Sequence, residues 1–372
     1  MYLRSVDVLR GISIFLVLLH HFNIPYKLHD TWLGFEVFGE SFSTLVARNG
    51  NYGVTMFFVI SGFLITQHSL KRHGQLAKMN IRAFYMRRIA RIMPCLLLLV
   101  GCVSLLGAFN LAPFVNHTPN GITVSYSMTI FAALTFWMNL LIIHYGWVNY
   151  ALGVLWSLAV EEVFYLVFPL LCVLTRGKTA FWILLLGVIA YAPYFRSLYF
   201  LDENEVYLYH YFASFDAIAI GCVTGLLWCK SYVNRFKQQW VQYVIVLCML
   251  ALYVYAPIKQ VASWSMTVFA ALTALLILSF RDDATIKKKL RPIQKGWIWL
   301  GKRSYELYLF HLIVLGLIKV QYLPAQTTAI TKLILLPIFL FGSCVLAAMI
   351  EKYYATPLNV KIRNWYLGED KK

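Results

Sequence analysis

The chain has 372 residues, of which 60% are hydrophobic, 16% aromatic and only 13% charged, and its formal net charge is +17. Soluble domains carry about 25% charged residues, so an ordinary soluble globular protein is excluded, and apolar runs without alternation, such as FWILLLGVIAYAPYF (181–195), exclude a membrane β-barrel. The basic residues cluster between apolar runs, as in cytoplasmic loops of membrane proteins, so the charge implies no nucleic-acid partner.

A helix that crosses a bilayer needs about 20 mostly apolar residues, because lipid offers no partner to an open backbone. Spans are expected at 8–26, 52–69, 92–110, 152–174, 180–197, 209–229, 239–256, 262–280, 297–319 and 331–353. The predicted fold is all-α: a polytopic membrane helical bundle of about ten transmembrane helices. One membrane domain is expected to fill residues 1–372, with no appended soluble domain. The first span is followed by HHFNIPYK, which offers no small-residue cleavage site, so it is expected to stay as a span.

Segment 124–145 (TVSYSMTIFAALTFWMNLLIIH) is also apolar. If it crossed, every later loop would change sides, and KKKLRP (287–292) and the C-terminal tail would lie outside. With ten spans and a cytoplasmic N-terminus, only Lys27, Arg48, Arg196, Lys259, Lys319 and Lys332 of the 33 basic residues stay on the outer side. That distribution follows the positive-inside rule. Segment 124–145 is therefore expected to be a re-entrant or interfacial element, with both termini cytoplasmic and the chain in the cell inner membrane. The seven cysteines, an odd number without a CxxC pair, read as apolar packing residues rather than disulfides or metal ligands.

Polar residues inside spans are costly and mark function or pairing. In LRGISIFLVLLHHFN (9–23), Arg10 and His21 are eleven residues apart, so they share a helix face about 16 Å apart along the axis, with His20 about 80° off that line. Asp7 precedes Arg10 by three residues and can pair with it. Ser61-Gly62 is a small pair that lets a helix or a ligand approach closely. Arg88 and Arg91 share a face where the third span enters the membrane, and guanidinium forks match phosphate oxygens. In LWSLAVEEVFYLVFP (155–169), Glu161 and Glu162 enter an apolar helix, and Ser157, Glu161 and Tyr165 recur every four residues. Asp216 is a lone acid in a span. Tyr308 and His311 share a face in GKRSYELYLFHLIVL (301–315). No spacing of His21, Glu161 and His311 matches a metal motif, so no metal is expected.

Together LRGISIFLVLLHH, FFVISGFLI, FYMRRIARIMP, LTFWMN (134–139), LWSLAVEEVFYLVFP and SYELYLFH, in this order, resemble the acyltransferase-3 family of multipass O-acyltransferases that modify cell-surface glycans. The family's arginine–histidine pattern falls on Arg10 and His21, its arginine pair on Arg88 and Arg91, its serine and double glutamate on Ser157, Glu161 and Glu162, and its tyrosine–histidine motif on Tyr305 and His311. The resemblance implies acetyl-CoA or another acyl-CoA as cytoplasmic donor and a glycan or glycolipid hydroxyl as outer acceptor, with the bilayer and other polysaccharide-assembly proteins as partners. His21, Arg10, Glu161 and His311 are then expected to be catalytic. Arg88, Arg91, Arg10 and Ser61 would hold the donor, and Ser157, Glu162, Tyr305 and Asp216 the acceptor. Because the chain ends at GEDKK, acyl delivery is expected to be completed in the membrane domain or by a partner. The competing reading, a proton-coupled transporter of a small solute, predicts two related halves with broken helices; no such symmetry is visible.

Overall fold

A computed structural model describes residues 3–34, 48–119, 121–176, 179–228, 230, 237–280 and 291–368. Within them there are helices and no strands. Cys229, residues 287–290 of the basic run and the last four residues of the tail lie outside the described residues. Seven helices among the described residues are long and apolar enough to cross a membrane. They are α1 (Arg4–Asn23), α2 (Asn51–His73), α3 (Ile81–Ala108), α6 (Leu155–Leu174), α7 (Thr179–Leu198), α10 (Ile258–Ser279) and α13 (Ala329–Ile350), the last running on through a π-turn at Glu351–Ala355 into α14 (Thr356–Leu367). The other three expected spans overlap α8 (Phe215–Leu227), α9 (Gln239–Tyr255) and α12 (Ser304–Gln321), which are not among those seven.

The structure revises four sequence-based boundaries. The third span was expected at 92; α3 begins eleven residues earlier, because the Asn80 side chain caps it by accepting from Ala83 N at 2.9 Å. Arg88 and Arg91 lie on α3, on a helix as expected from their three-residue spacing. The sixth span was expected from 209, but residues 206–213 form two single turns and α8 starts at Phe215. The expected ninth span, 297–319, is divided. Residues 292–302 form a separate helix, α11 (Pro292–Lys302), and α12 starts afresh at Ser304. The sequence PIQKGWIWLGK is amphipathic rather than uniformly apolar, and α11 lies along α1. Segment 124–145 forms no single membrane-length helix. It is two short ones, α4 (Tyr126–Leu134) and α5 (Met138–Tyr145), each about 13 Å long. Between them Phe136 takes the left-handed conformation (φ 62°), which ends the first helix.

The chain groups into two compact units, Met1–Gly74 with Lys178–Ser304 and Gln75–Gly177 with Tyr305–Lys372. In the first, α2 is the central helix and packs on α1, α8 and α10. Lipid tails are as apolar as leucine, so helices in a bilayer associate by close packing and not by hydrophobic exclusion. Glycines provide that closeness here. A Cβ on Gly62 would collide with the Ile218 carbonyl, and one on Gly221 with the Val59 carbonyl, so α2 and α8 cross through reciprocal glycines. Gly301 against the Asp7 carbonyl and Gly11 against the Trp297 carbonyl join α11 to α1 in the same way. Asn49 ties the α9–α10 turn to the start of α2: its Nδ2 donates to Tyr253 O (2.6 Å) and Ala256 O (3.0 Å), and its Oδ1 accepts from Ile258 N (2.9 Å).

In the second unit α3 packs on α4, α6 and α14, and α5 on α6. Hydroxyls of two tyrosines bind α3 to its neighbours, Tyr85 donating to Leu166 O (2.5 Å) and Tyr354 to Pro94 O (3.2 Å). The six described cysteines are free thiols.

These crossings give a direct contrast. Gly62→Ala and Gly221→Ala each force backbone apart and are expected to lower the thermal unfolding midpoint in detergent by several degrees. Gly187→Ala on α7 meets open space and gains helix propensity, so its midpoint stays level or rises.

Candidate active site

The second unit holds a line of polar groups along one side of α3. Arg88 comes first. Its Nη2 donates to Glu162 Oε1 at 2.9 Å and lies 3.8 Å from Glu161 Oε1. The Tyr165 ring covers the guanidinium, with Cζ 3.6 Å from the ring centroid, and the Tyr165 hydroxyl donates to Glu161. All three partners come from α6. Of the expected stripe of Ser157, Glu161 and Tyr165, the last two meet at Arg88, with Tyr165 bonded to the acid one turn before it. The buried Arg88 Nε has no hydrogen-bond partner among the described residues, and 27% of the side chain remains exposed.

One turn on, Arg91 meets α12. Its Nη1 is 3.5 Å from Glu306 Oε1, and its Cζ is 5.2 Å from the Tyr305 ring centroid. The Tyr305 hydroxyl donates to Ile92 O at 3.0 Å, fixing the ring. Each arginine thus meets carboxylate and one aromatic face, with two acids from α6 for Arg88 and one from α12 for Arg91. Arg91 keeps 35% of its side chain exposed. An arginine pair held but still partly open suits an anion with several oxygens better than a single charge.

Further along α12, Tyr308 donates to Val154 O (3.0 Å) and lies 2.5 Å from Ser157 Oγ. With the tyrosine proton committed to the carbonyl, the serine hydroxyl is the donor in that second bond. His311 is fully buried, 6.1 Å from Tyr308 and 6.4 Å from Phe339 by ring centroids. Its Nδ1 faces Leu307 O at 3.0 Å. A carbonyl only accepts, so Nδ1 carries a proton, and in the neutral ring Nε2 is the lone-pair nitrogen.

The first unit holds the other expected residues. Arg10 pairs with Asp7 at 3.5 Å, as the three-residue spacing predicted. His21 repeats the tautomer device of His311: Nδ1 donates to Val17 O at 2.9 Å, leaving Nε2 as the basic nitrogen. Its ring makes an edge contact with His20 at 5.4 Å. Ser61 is half-buried beside the glycine crossing. Asp216, expected among the acceptor-binding residues, is enclosed. It is buried against Arg196 (Nη2 to Oδ2 3.1 Å) and accepts from Thr267 Oγ1 at 2.5 Å. Arg196 also donates to Ala213 O (2.5 Å), Ser263 O (3.3 Å) and Thr267 Oγ1 (2.5 Å). The sequence counted Arg196 among the basic residues on the outer side, at the end of the span expected at 180–197; it lies on α7 and is buried.

Two partners were missed as site residues. Glu306 is a lone acid in the first turn of an apolar helix, the same signal that singled out Asp216. Tyr308 appeared only as a neighbour of His311, and its bond to Ser157 joins segments 151 residues apart, beyond any local spacing rule. Among the described residues no three His, Cys, Asp or Glu side chains come together as a metal-binding group.

The family described as an acyltransferase domain matches residues 3–351. Among curated proteins the chain is similar to a Staphylococcus aureus protein provisionally named an O-acetyltransferase (26% identity, 98% of this chain and 59% of the relative). It is also similar to a Bacillus subtilis protein provisionally named a peptidoglycan O-acetyltransferase (28%, 85% and 49%) and to the peptidoglycan O-acetyltransferase OatA of Listeria monocytogenes (24%, 85% and 50%). The chain spans about half to three-fifths of the length of these relatives. No solved structure matches it.

The Arg196–Asp216 pair gives a stability prediction independent of chemistry. Arg196→Ala or Asp216→Ala leaves one buried charge without its partner, at a cost of about 3–5 kcal/mol. The double change Arg196→Met with Asp216→Leu removes both charges and recovers most of that loss, measured by thermal unfolding in detergent.

Proposed function

Because the chain belongs to the acyltransferase domain family, we propose that it is a membrane O-acyltransferase that moves an acyl group, most simply acetyl, from cytoplasmic acyl-CoA to a hydroxyl of a cell-surface polysaccharide or glycolipid. Peptidoglycan, named for two of its relatives, is the first acceptor to try, and polysaccharide-assembly proteins are the partner class that would present it. The chain then crosses the inner membrane about ten times with both termini cytoplasmic. The observation that carries this reading is the pair of arginines on α3, each kept in place by a carboxylate and an aromatic ring yet partly open.

In this reading Arg88 and Arg91 bind phosphate oxygens of the donor, with Arg10 and Ser61 as further donor contacts. Glu162 serves by holding Arg88, and Asp216 by holding Arg196. His21 Nε2 takes the proton of the acceptor hydroxyl as the oxygen attacks the thioester carbonyl. The carbon–sulfur bond then breaks, the sulfur leaves with the electron pair, and the proton ends on the thiol of coenzyme A. His311, Glu161 and the Ser157–Tyr308 pair orient groups or pass protons, and Tyr305 keeps Arg91 in place.

The test is thiol release from acetyl-CoA by protein in nanodiscs supplied with glycan acceptor. Wild type is expected to release thiol. His21→Ala is expected to lose about 10²–10⁴ in kcat with KM little changed. Arg88→Ala is expected chiefly to raise KM for the donor. No release by wild type with acceptor present contradicts the reading, and equal release by His21→Ala removes that histidine from the chemistry.

A further inference from the structure

Glu306 is the one acid of the α3 line that the mechanism leaves without a task. It sits in the first turn of α12, fully buried, and neither carboxylate oxygen accepts a hydrogen bond among the described residues. Its ion-pair partner is Arg91 at 3.5 Å, longer than the roughly 2.7–2.9 Å of a charge-assisted hydrogen bond. A buried carboxylate without hydrogen bonds is costly, and the field at a helix N-terminus offsets only part of that. Here the cost leaves something in hand. Arg88 spends an N–H on Glu162 at 2.9 Å, whereas no hydrogen bond holds the Arg91 guanidinium among the described residues. Charge from Glu306 and the Tyr305 ring hold Arg91 in place, while its N–H donors stay uncommitted.

We propose that Glu306 is a positioning residue for Arg91: it fixes the guanidinium by charge alone, so that its forked N–H donors remain open to a phosphate oxygen of the donor. The proposal rests on the donor-binding reading above. It makes Arg91 the exchangeable arginine and Arg88 the anchored one.

The test is the steady-state rate of thiol release against acetyl-CoA concentration for wild type, Glu306→Gln, Glu306→Asp, Arg91→Gln and the double variant Arg91→Gln/Glu306→Gln. Glu306→Gln is expected to raise KM about tenfold with kcat within about twofold, and Glu306→Asp to restore most of the KM. The double variant is expected to match Arg91→Gln, because Glu306 acts through Arg91. It also leaves no lone buried charge, so it reports even if Glu306→Gln fails to fold. An unchanged KM in Glu306→Gln, or a double variant with a KM well above that of Arg91→Gln, overturns the proposal. An inactive wild type instead sinks the donor reading, and this proposal with it.

Discussion

A guanidinium at the depth of a membrane helix cannot stand alone. It keeps its charge at any accessible pH, and taking it from water without a partner costs several kcal/mol. Arg88 and Arg91 on α3 therefore dictate much of the second unit. α6 supplies Glu162, Glu161 and the Tyr165 ring to the first, and α12 supplies Glu306 and the Tyr305 ring to the second. Rotating either helix by one residue, about 100°, would leave a charge without its partner. The same bonds that satisfy the charges thus fix which faces of α6 and α12 meet α3. Further along those faces Ser157, Tyr308 and His311 follow as a continuation of the polar line.

The first unit meets the same constraint in a different way. Arg196 is enclosed by Asp216, Thr267 and two backbone carbonyls, and nothing of its side chain reaches the surface. That is a closed pair, suited to locking α7, α8 and α10 together. Arg88 and Arg91 retain open surface, and an open pair is what a ligand can use. The distinction between closed and open charge pairs separates structural from functional residues here better than the presence of a charge does. Both histidines of interest, His21 and His311, share one further device: a backbone carbonyl four residues earlier accepts from Nδ1 and so fixes the tautomer of the neutral ring.

Seven of the expected spans were legible because long apolar runs have few alternatives in a bilayer, and the helix-face relations of Asp7 with Arg10 and of Glu161 with Tyr165 followed from a 3.6-residue period. Local amphipathicity was harder to read. Residues 297–302 looked like the start of a span, but tertiary packing on α1 through Gly11 and Gly301 draws them into a separate helix. Arg196 counted as an outer-side charge at the end of a span, and its burial was not legible, because its partner lies 20 residues away on another helix. Glu306 was hidden by its neighbours: in SYELYLFH the tyrosines and the histidine carry the motif, and only the three-dimensional contact shows that the acid faces Arg91. The expected non-crossing nature of 124–145 rested on charge distribution alone, and the break at Phe136 supplies the local reason that no single helix forms there.

The most direct test of the central claim is equilibrium binding of a thioether analogue of acetyl-CoA, which cannot transfer its acyl group, to protein in nanodiscs. The α3 arginines are predicted to carry the affinity: binding by wild type weakens as salt rises, and Arg88→Gln/Arg91→Gln, assayed below its own unfolding midpoint, loses at least about tenfold in Kd with its helix content retained. Equal affinity of wild type and the double variant, with the same salt response, would contradict the assignment of this arginine pair to the donor phosphates.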